Sequence, residues 1–191
     1  LTDRAGLRPG EWVAVFGCGG VGLSAIEIAR ALGARPIGVD IGDDKLALAT
    51  ELGAEAVVNS RQVADAAAAV RDLTGGGAHV SVDALGIAAT CRPAVESLRK
   101  RGRHVQIGMT NAEDAGLLAL PVDLIIDREI ALAGSKGMPP ADYPAMLAMV
   151  ADGRLNPARL VSRTVPLAEA GRVLASMDAF DTLGFTVIDR Y

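Results

Sequence analysis

A short apolar run that leads into a glycine-rich turn constrains this chain more than any other feature of its sequence. Residues 12–16 carry apolar side chains on both faces, as a central parallel strand covered by helices must. The turn Gly17-Cys18-Gly19-Gly20-Val21-Gly22 follows at once, and apolar residues then recur at helical spacing. Strand, tight turn and helix in this order are the opening unit of a parallel α/β sheet.

Further apolar runs repeat this pattern, each bounded by Gly, Pro or an acidic residue. We predict strands at residues 12–16, 35–39, 55–58, 79–82, 103–107 and 130–133. Helices are predicted from Val21, from near Asp43, and at residues 62–73, 88–98 and 143–151. Right-handed crossovers of this length place helices on both faces of a sheet. The predicted fold class is therefore α/β, a doubly wound parallel six-stranded Rossmann sheet with strand order 3-2-1-4-5-6.

The pattern changes after about residue 156. A short strand at residues 160–165, a helix at 167–177 and a last strand at 184–188 are too little chain for a separate domain. We divide the sequence into a junction segment at 1–10, a dinucleotide-binding domain at 11–155 and a tail at 156–191.

Charge argues against a nucleic-acid binder. The 191 residues hold 19 basic and 23 acidic side chains, a formal net charge of −4, and only six aromatics, whereas nucleic-acid binders usually show a basic surplus. The cluster Arg99-Lys100-Arg101, with Arg103, is interpreted as the solvated C-terminus of a helix, which favours cations through its dipole.

The sequence also argues against a membrane-spanning protein, a secreted protein and a cysteine-rich protein. It contains no run of about 18 apolar residues that could span a membrane, and its first residues lack the layout of a secretory signal, so we expect a cytoplasmic protein. Cys18 and Cys91 are too few for a disulfide framework or a four-cysteine zinc site. His79 and His104, inside or beside predicted strands, are interpreted as structural.

The glycine turn predicts a dinucleotide site, because Gly17, Gly19 and Gly22 match G-x-G-x-x-G. The first glycine permits the sharp turn, the second lets a pyrophosphate approach the backbone, and the third lets the helix pack close to the sheet. The free N–H groups at the helix start, including those of Gly20 and Val21, then face the phosphates.

Asp40, 18 positions after Gly22, ends the second predicted strand. A carboxylate there accepts hydrogen bonds from ribose hydroxyls and repels a 2′-phosphate, which favours NAD over NADP. The structural alternative is that Asp40 caps the helix beginning near Asp43, although Asp43 or Asp44 could cap it better.

These residues resemble a known family. The run from Pro9 to Val15 leading into the glycine turn, followed by Leu32-Gly33-Ala34 and Leu52-Gly53-Ala54, is similar to the cofactor domain of medium-chain zinc-dependent alcohol dehydrogenases. The resemblance implies that Lys45 contacts the adenosine ribose and that Ala84 and Leu85 lie beside the adenine and ribose. It also implies nicotinamide contacts from two more strand ends: Ile107, Gly108, Gly134 and Ser135.

The departures from the family are equally informative. The zinc ligands, including a G-H-E motif, belong to a domain that precedes the cofactor domain and are absent here, and Phe185 stands where some members have an arginine that reaches the pyrophosphate. The resemblance therefore implies the cofactor half of a larger enzyme that transfers hydride between an alcohol or aldehyde and NAD, with zinc held elsewhere. It implies that the tail at 156–191 is the segment that returns to complete the catalytic domain. It further implies an inactive isolated chain and a homodimer or higher homo-oligomer formed through the sixth strand.

Three alternatives remain at this stage. The chain also resembles the zinc-free quinone oxidoreductases of the same superfamily. These enzymes typically carry Ala in the third position of the glycine turn and prefer NADPH, so Gly19 and Asp40 argue against this alternative. A methyltransferase also uses a glycine loop and an acidic residue, but its usual glycine spacing and antiparallel seventh strand are not evident. An NAD(H)-sensing module without chemistry would need an effector segment, and none is visible.

Overall fold

Six parallel strands form one sheet in the order β3-β2-β1-β4-β5-β6, which confirms the predicted order. The computed structural model describes residues 1–112, 114–177 and 182–190. The strands are β1 (Trp12–Phe16), β2 (Arg35–Asp40), β3 (Ala56–Asn59), β4 (Ala78–Asp83), β5 (Leu98–Gln106) and β6 (Ala131–Gly134).

Helices cover both faces of this sheet. They are α1 (Gly20–Ala31), α2 (Asp43–Glu51), α3 (Ala66–Thr74), α4 (Ala88–Glu96), α5 (Val122–Asp127) and α6 (Tyr143–Ala151). The six-residue helix α5 was not predicted. Within the described ranges, none of the helices is long and apolar enough to cross a membrane.

Alternation along β1 builds the two halves of the core. Val13 and Val15 pack in one buried cluster with residues of α1 and α2, while Ala14 and Phe16 pack in another with residues of α3 and α4. Successive side chains of a strand point to opposite faces, so an uninterrupted apolar strand requires helices on both sides. The doubly wound architecture follows directly from this sequence.

The basic cluster lies in a strand and not at the end of a helix, which corrects the sequence interpretation. Helix α4 ends at Glu96, and β5 already begins at Leu98. The Glu96 carbonyl at the end of α4 accepts hydrogen bonds from Arg71 Nη1 at 2.8 Å and Arg128 Nη1 at 3.0 Å. Two arginines distant in sequence therefore donate to the C-terminus of α4. The basic side chains at 99–103 belong to β5 and do not cap this helix.

The tail forms β7 (Val161–Pro166), α7 (Ala170–Ser176) and β8 (Phe185–Arg190). The strands β7 and β8 pair in parallel as a separate two-stranded sheet. Leu160 is buried in the same cluster as Leu23 of α1, and the Glu27 carboxylate accepts a 2.9 Å hydrogen bond from the Asn156 N–H. These contacts hold the start of the tail against α1. Part of the predicted helix at 167–177 is a 3₁₀ turn, Leu167–Glu169.

Candidate functional site

The carboxyl ends of β1, β2 and β4 border a cavity of about 540 Å³. Strand order reverses between β1 and β4, and open α/β sheets bind ligands in the crevice at such a point. Eight of the thirteen predicted site residues line this cavity: Gly17, Gly19, Gly20, Val21, Asp40, Lys45, Ala84 and Leu85.

Each glycine of the motif has a distinct geometric reason to lack a side chain. Gly17 adopts φ +90°, and a Cβ there would lie 3.2 Å from Leu85 Cβ. A Cβ on Gly22 would lie 1.8 Å from the Gly17 carbonyl oxygen, so the helix could not pack this close to the turn. A Cβ on Gly19 would meet nothing within 4 Å and would project into open space beside the cavity. Gly22 is thus needed for packing, whereas Gly19 leaves room for a ligand.

The start of α1 presents unpaired donors to the cavity. Gly19 is the N-cap and offers no side-chain acceptor, and the first backbone hydrogen bond of the helix runs from the Leu23 N–H to the Gly19 carbonyl at 2.9 Å. The N–H groups of Gly20, Val21 and Gly22 therefore have no described acceptor, as expected for the first turn of a helix. With the positive end of the helix dipole, these donors favour a phosphate group.

The Asp40 carboxylate is fixed by backbone donors from two loops. Its Oδ2 accepts from the Cys18 N–H at 2.7 Å, and its Oδ1 accepts from the N–H groups of Ile41 and Gly42 at 2.7 and 3.0 Å. A carboxylate offers about four acceptor positions, so about one remains, on Oδ2. The N-cap of α2 is Gly42, which has no side-chain acceptor, so Asp40 is not the N-cap residue. Asp44 Oδ1 accepts from the Lys45 N–H at 2.9 Å and thereby satisfies one donor in the first turn of α2.

The remaining predicted site residues lie outside this cavity. Gly22 is buried in α1, while Ile107 and Gly108 directly follow β5, Gly134 ends β6 and Ser135 follows it. A Cβ on Gly108 would lie 2.3 Å from backbone atoms of the 84–86 loop, so that loop and the end of β5 are in close contact. These positions continue along the same carboxyl edge of the sheet.

A buried aspartate that the sequence analysis did not single out holds the 84–86 loop. Asp83 Oδ1 accepts from the N–H groups of Leu85 and Gly86 at 2.9 and 3.0 Å and from Thr90 Oγ1 at 2.9 Å. Gln106 Nε2 donates to Asp83 Oδ2 at 2.9 Å. Four donors thus fix the Asp83 carboxylate and, with it, the cavity wall beside Ala84 and Leu85. In the sequence, the one indication of this role was an acidic residue directly after the predicted strand at 79–82.

The tail also reaches this cavity, at the position where the resemblance places an arginine in some family members. Phe185 of β8 lines it, together with Met177 and Thr182. A Cβ on Gly20 would lie 2.6 Å from the Phe185 ring, so the ring packs directly against the start of α1.

Neither cysteine is placed for metal binding or nucleophilic chemistry. Cys18 is fully buried beside β2, and burial raises the pKa of its thiol far above the usual range. Burial, and then the nearby Asp83, raise the pKa of Cys91 to about 11. Across the described ranges, no group of three or more His, Cys, Asp or Glu side chains could hold a metal ion.

Residues 20–152 match the family model of zinc-binding dehydrogenases. The chain belongs to this zinc-binding dehydrogenase family. Among curated relatives, an alcohol dehydrogenase of Geobacillus stearothermophilus is 31% identical over 174 residues, covering 91% of this chain and 49% of that protein. A probable D-xylulose reductase A of Aspergillus terreus is 33% identical over 184 residues, covering 94% of this chain and 51% of that protein.

Solved structures of zinc-binding dehydrogenases and their relatives share this fold. Alcohol dehydrogenase TADH from Thermus sp. ATN1 superposes with a TM-score of 0.87 at 33% identity, over 99% of this chain and 54% of that chain. An NAD-dependent alcohol dehydrogenase gives a TM-score of 0.86 at 28% identity, over 100% and 54%. The present chain therefore spans about half the length of the relatives it matches.

Proposed function

We propose that this chain is the NAD(H)-binding part of a zinc-dependent, alcohol dehydrogenase-like oxidoreductase. The observation that carries the proposal is the hydrogen bond between Asp40 and the Cys18 N–H. It brings the Asp40 carboxylate and the free donors of α1 to one cavity, where the carboxylate can bind a ribose and the donors a diphosphate.

The binding mode follows from the donors and acceptors of the cavity. The diphosphate lies against the N–H groups at the start of α1, where the absence of a side chain on Gly19 permits close approach. One ribose hydroxyl donates to the remaining acceptor position of Asp40 Oδ2, and Lys45, which also lines the cavity, contacts the same sugar. A 2′-phosphate at this point would face the Asp40 carboxylate, so NAD is preferred over NADP.

The nicotinamide end of the cofactor extends toward the ends of β5 and β6. We assign it to Ile107, Gly108, Gly134 and Ser135, which continue the same edge of the sheet. When bound, NAD supplies the acceptor for a hydride from an alcohol. The chain itself supplies binding and orientation.

We assign no zinc site to these residues, because the described side chains offer no suitable cluster. In this proposal the zinc and the substrate-binding groups belong to the part of the relatives' length that this chain does not match. The isolated chain then binds the cofactor without oxidising an alcohol. The substrate of the whole enzyme is an alcohol or its carbonyl counterpart, in keeping with relatives named alcohol dehydrogenase and D-xylulose reductase.

We also propose that two copies associate through β6. This strand is at the edge of the sheet, pairs only with β5 among the described strands, and exposes Leu132. An uncovered apolar edge strand is suited to pairing with a second copy.

Calorimetric titration of the purified chain with NADH and NADPH tests the proposal. We expect association with NADH, weaker association with NADPH, and no ethanol-dependent NADH formation with or without added zinc. If the folded chain released no heat with NADH, the cofactor assignment would be wrong. Turnover by the sequence-verified chain would instead refute only the assignment of the catalytic groups to the unmatched part.

A further inference from the structure

A second cavity, of about 510 Å³, lies at the amino ends of β1, β4 and β5, whereas the glycine turn follows the carboxyl end of β1. Five of its lining side chains are positive: Arg8, Arg99, Lys100, Arg101 and Arg103. Glu11 and His79 complete the lining, and we call this site the basic cleft. The whole chain has a net charge of −4, so this concentration of positive charge runs against its overall balance.

Carboxylates neutralise only part of the basic cleft. Glu11 Oε2 binds Arg103 Nη2 at 2.5 Å, and Lys100 lies 4.0 Å from the exposed carboxylate of Glu129. Among the residues that the structure describes, no carboxylate lies within 4.0 Å of the side-chain nitrogens of Arg8, Arg99 or Arg101. Three guanidinium groups therefore face one cavity without a counter-ion from the chain.

His79 has more donors around it than a neutral imidazole can accept. Its Nδ1 lies 3.1 Å from the backbone N–H nitrogen of Trp12, and its Nε2 lies 2.8 Å from Arg99 Nη1. Backbone amides and guanidinium groups only donate, while neutral imidazole has a single acceptor nitrogen. One of the two contacts consequently lacks an acceptor. This part of the cleft therefore has more hydrogen-bond donors than acceptors.

Arg103 adds a second unpaired donor. Its Nε is buried and has no hydrogen-bond partner among the described residues, although its Nη2 binds Glu11. A buried donor without an acceptor costs about 1–3 kcal/mol. The unmatched donor beside His79, which lines the cleft, favours a ligand rich in negatively charged acceptor atoms.

We propose that the basic cleft binds a small phosphorylated molecule, with a phosphoryl group held between Arg99 and His79. With the phosphoryl group in place, His79 Nδ1 accepts from the Trp12 N–H, while His79 Nε2–H and Arg99 both donate to phosphoryl oxygens. A phosphoryl group is favoured because it carries about −1.5 to −2 charges and three strong acceptors. Guanidinium groups match its geometry, and Arg8 and Arg101 can receive a second phosphoryl group.

The two histidines of the chain provide a direct test. Burial, followed by repulsion from Arg99, lowers the pKa of His79, and a phosphate anion beside the ring opposes that shift. We would titrate the imidazole C–H resonances by NMR with inorganic phosphate, tripolyphosphate, or sodium chloride at matched ionic strength. With either phosphate, the pKa of His79 should rise by about one pH unit, as for an adjacent opposite charge, while buried His104 stays unchanged.

Variants separate the basic cleft from the rest of the surface. The double substitution Arg8→Gln and Arg99→Gln removes two exposed guanidinium groups and should weaken phosphate binding about tenfold or more, the loss expected for charge-assisted hydrogen bonds. The charge-matched control, Arg154→Gln with Arg172→Gln, removes two exposed arginines of other elements and should bind as the parent does.

The outcomes also distinguish this site from the cofactor cavity. Saturation with NADH should leave the phosphate response of His79 intact, because His79 lies near the start of β4 and the glycine turn lies near its end. The proposal is overturned if phosphate shifts only the amide resonances of the glycine turn. It is equally overturned if chloride moves His79 as far as phosphate does, or if the cleft variant binds as tightly as its control.

Discussion

The Asp40 carboxylate accepts a 2.7 Å hydrogen bond from the Cys18 N–H, so the acid that ends β2 is bonded to the turn that follows β1. Ile41 and Gly42 fix its other oxygen. The same carboxylate thus orders the glycine turn and, in our proposal, binds the adenosine ribose. Its substitution should affect both the shape of the turn and the choice of cofactor.

Replacing Asp40 with Ser should weaken NADH binding and reduce the preference for NADH over NADPH. Loss of a charge-assisted hydrogen bond costs about 1.5–3 kcal/mol, which corresponds to at least about tenfold in the dissociation constant. The control is Asp44→Ser, which removes an exposed carboxylate from the start of α2. Calorimetric titration of both variants with both cofactors makes the comparison, and an unchanged preference in the Asp40 variant would contradict the assignment.

Substitution by Ala should lower the affinity for NADH at Gly19 and the stability of the fold at Gly22. Gly19→Ala places a methyl group in open space at an ordinary backbone conformation, φ −79°, so the free energy of unfolding should change by less than about 0.5 kcal/mol. NADH affinity should nevertheless fall about tenfold or more, because the methyl group keeps the diphosphate from the backbone.

Gly22→Ala should instead destabilise the fold, because the new Cβ would lie 1.8 Å from the Gly17 carbonyl oxygen. Overpacking of this kind costs about 1–3 kcal/mol. Gly171→Ala, in exposed α7 with nothing within 4 Å, is the control and should stabilise slightly. Thermal unfolding of the three variants decides the matter, and equal stability for Gly19→Ala and Gly22→Ala would refute the division of roles.

Phe185 occupies a position from which a cation could reach the bound diphosphate, since its ring packs against Gly20 at the start of α1. Phe185→Arg should tighten NADH binding several-fold, with a steeper dependence on salt because the gain is electrostatic. Val187→Arg, two residues along the exposed strand β8, adds the same charge as a control. Equal effects of the two substitutions would show that net charge alone is responsible.

Local pattern was sufficient to predict the central strands because β1 and β2 are short and mostly buried. The exception is β5, which begins at Leu98 and not at residue 103, because its first half is charged and exposed. The bounds of β1 and α6 agree with prediction, and those of most other strands differ by one or two residues. Helix α3 begins at Ala66 and not at residue 62, because Asp65 caps it by accepting from the Ala68 N–H at 2.9 Å. Asp65 can be recognised in the sequence as a helix-capping residue. The residues before it, however, carry no signal that distinguishes a loop from the first turn of a helix.

Contacts between residues distant in sequence could not be predicted from local sequence pattern. His104 is satisfied by Ser81 and Gln106, as a structural histidine should be, but His79 meets two donors. That difference depends on Arg99 and Trp12, which lie far from His79 in sequence. The basic cleft likewise combines the segment before β1 with β4 and β5, and only the folded chain brings them together.

Stability should fall as the pH is lowered from about 7 to 5. Burial lowers the pKa of His104 below its ordinary value of 6.5, and burial also lowers that of His79. In this range the unfolded chain binds more protons than the folded chain, so the free energy of unfolding decreases on acidification. Each histidine contributes at most about 1.4 kcal/mol per pH unit.

Denaturant unfolding at a series of pH values measures this slope. His104→Asn should flatten it, whatever its effect on stability at pH 7, because the slope counts protons and not contacts. His79→Asn should flatten it as well, and the double variant should be the least dependent on pH. A parent slope identical to that of the double variant would show that the histidines keep their ordinary pKa in the folded chain.

The two edges of the sheet should differ in their response to a charge if copies associate through β6. Leu132 of β6 and Val57 of β3 are both apolar edge residues, 46% and 39% exposed. Leu132→Lys places a charge in the proposed interface, where it disfavours strand pairing, so the chain should sediment as a monomer. Val57→Lys makes the same change at the opposite edge and should leave the dimer intact. Dissociation of both variants, or a parent chain that is monomeric at micromolar concentration, would exclude β6 as the interface.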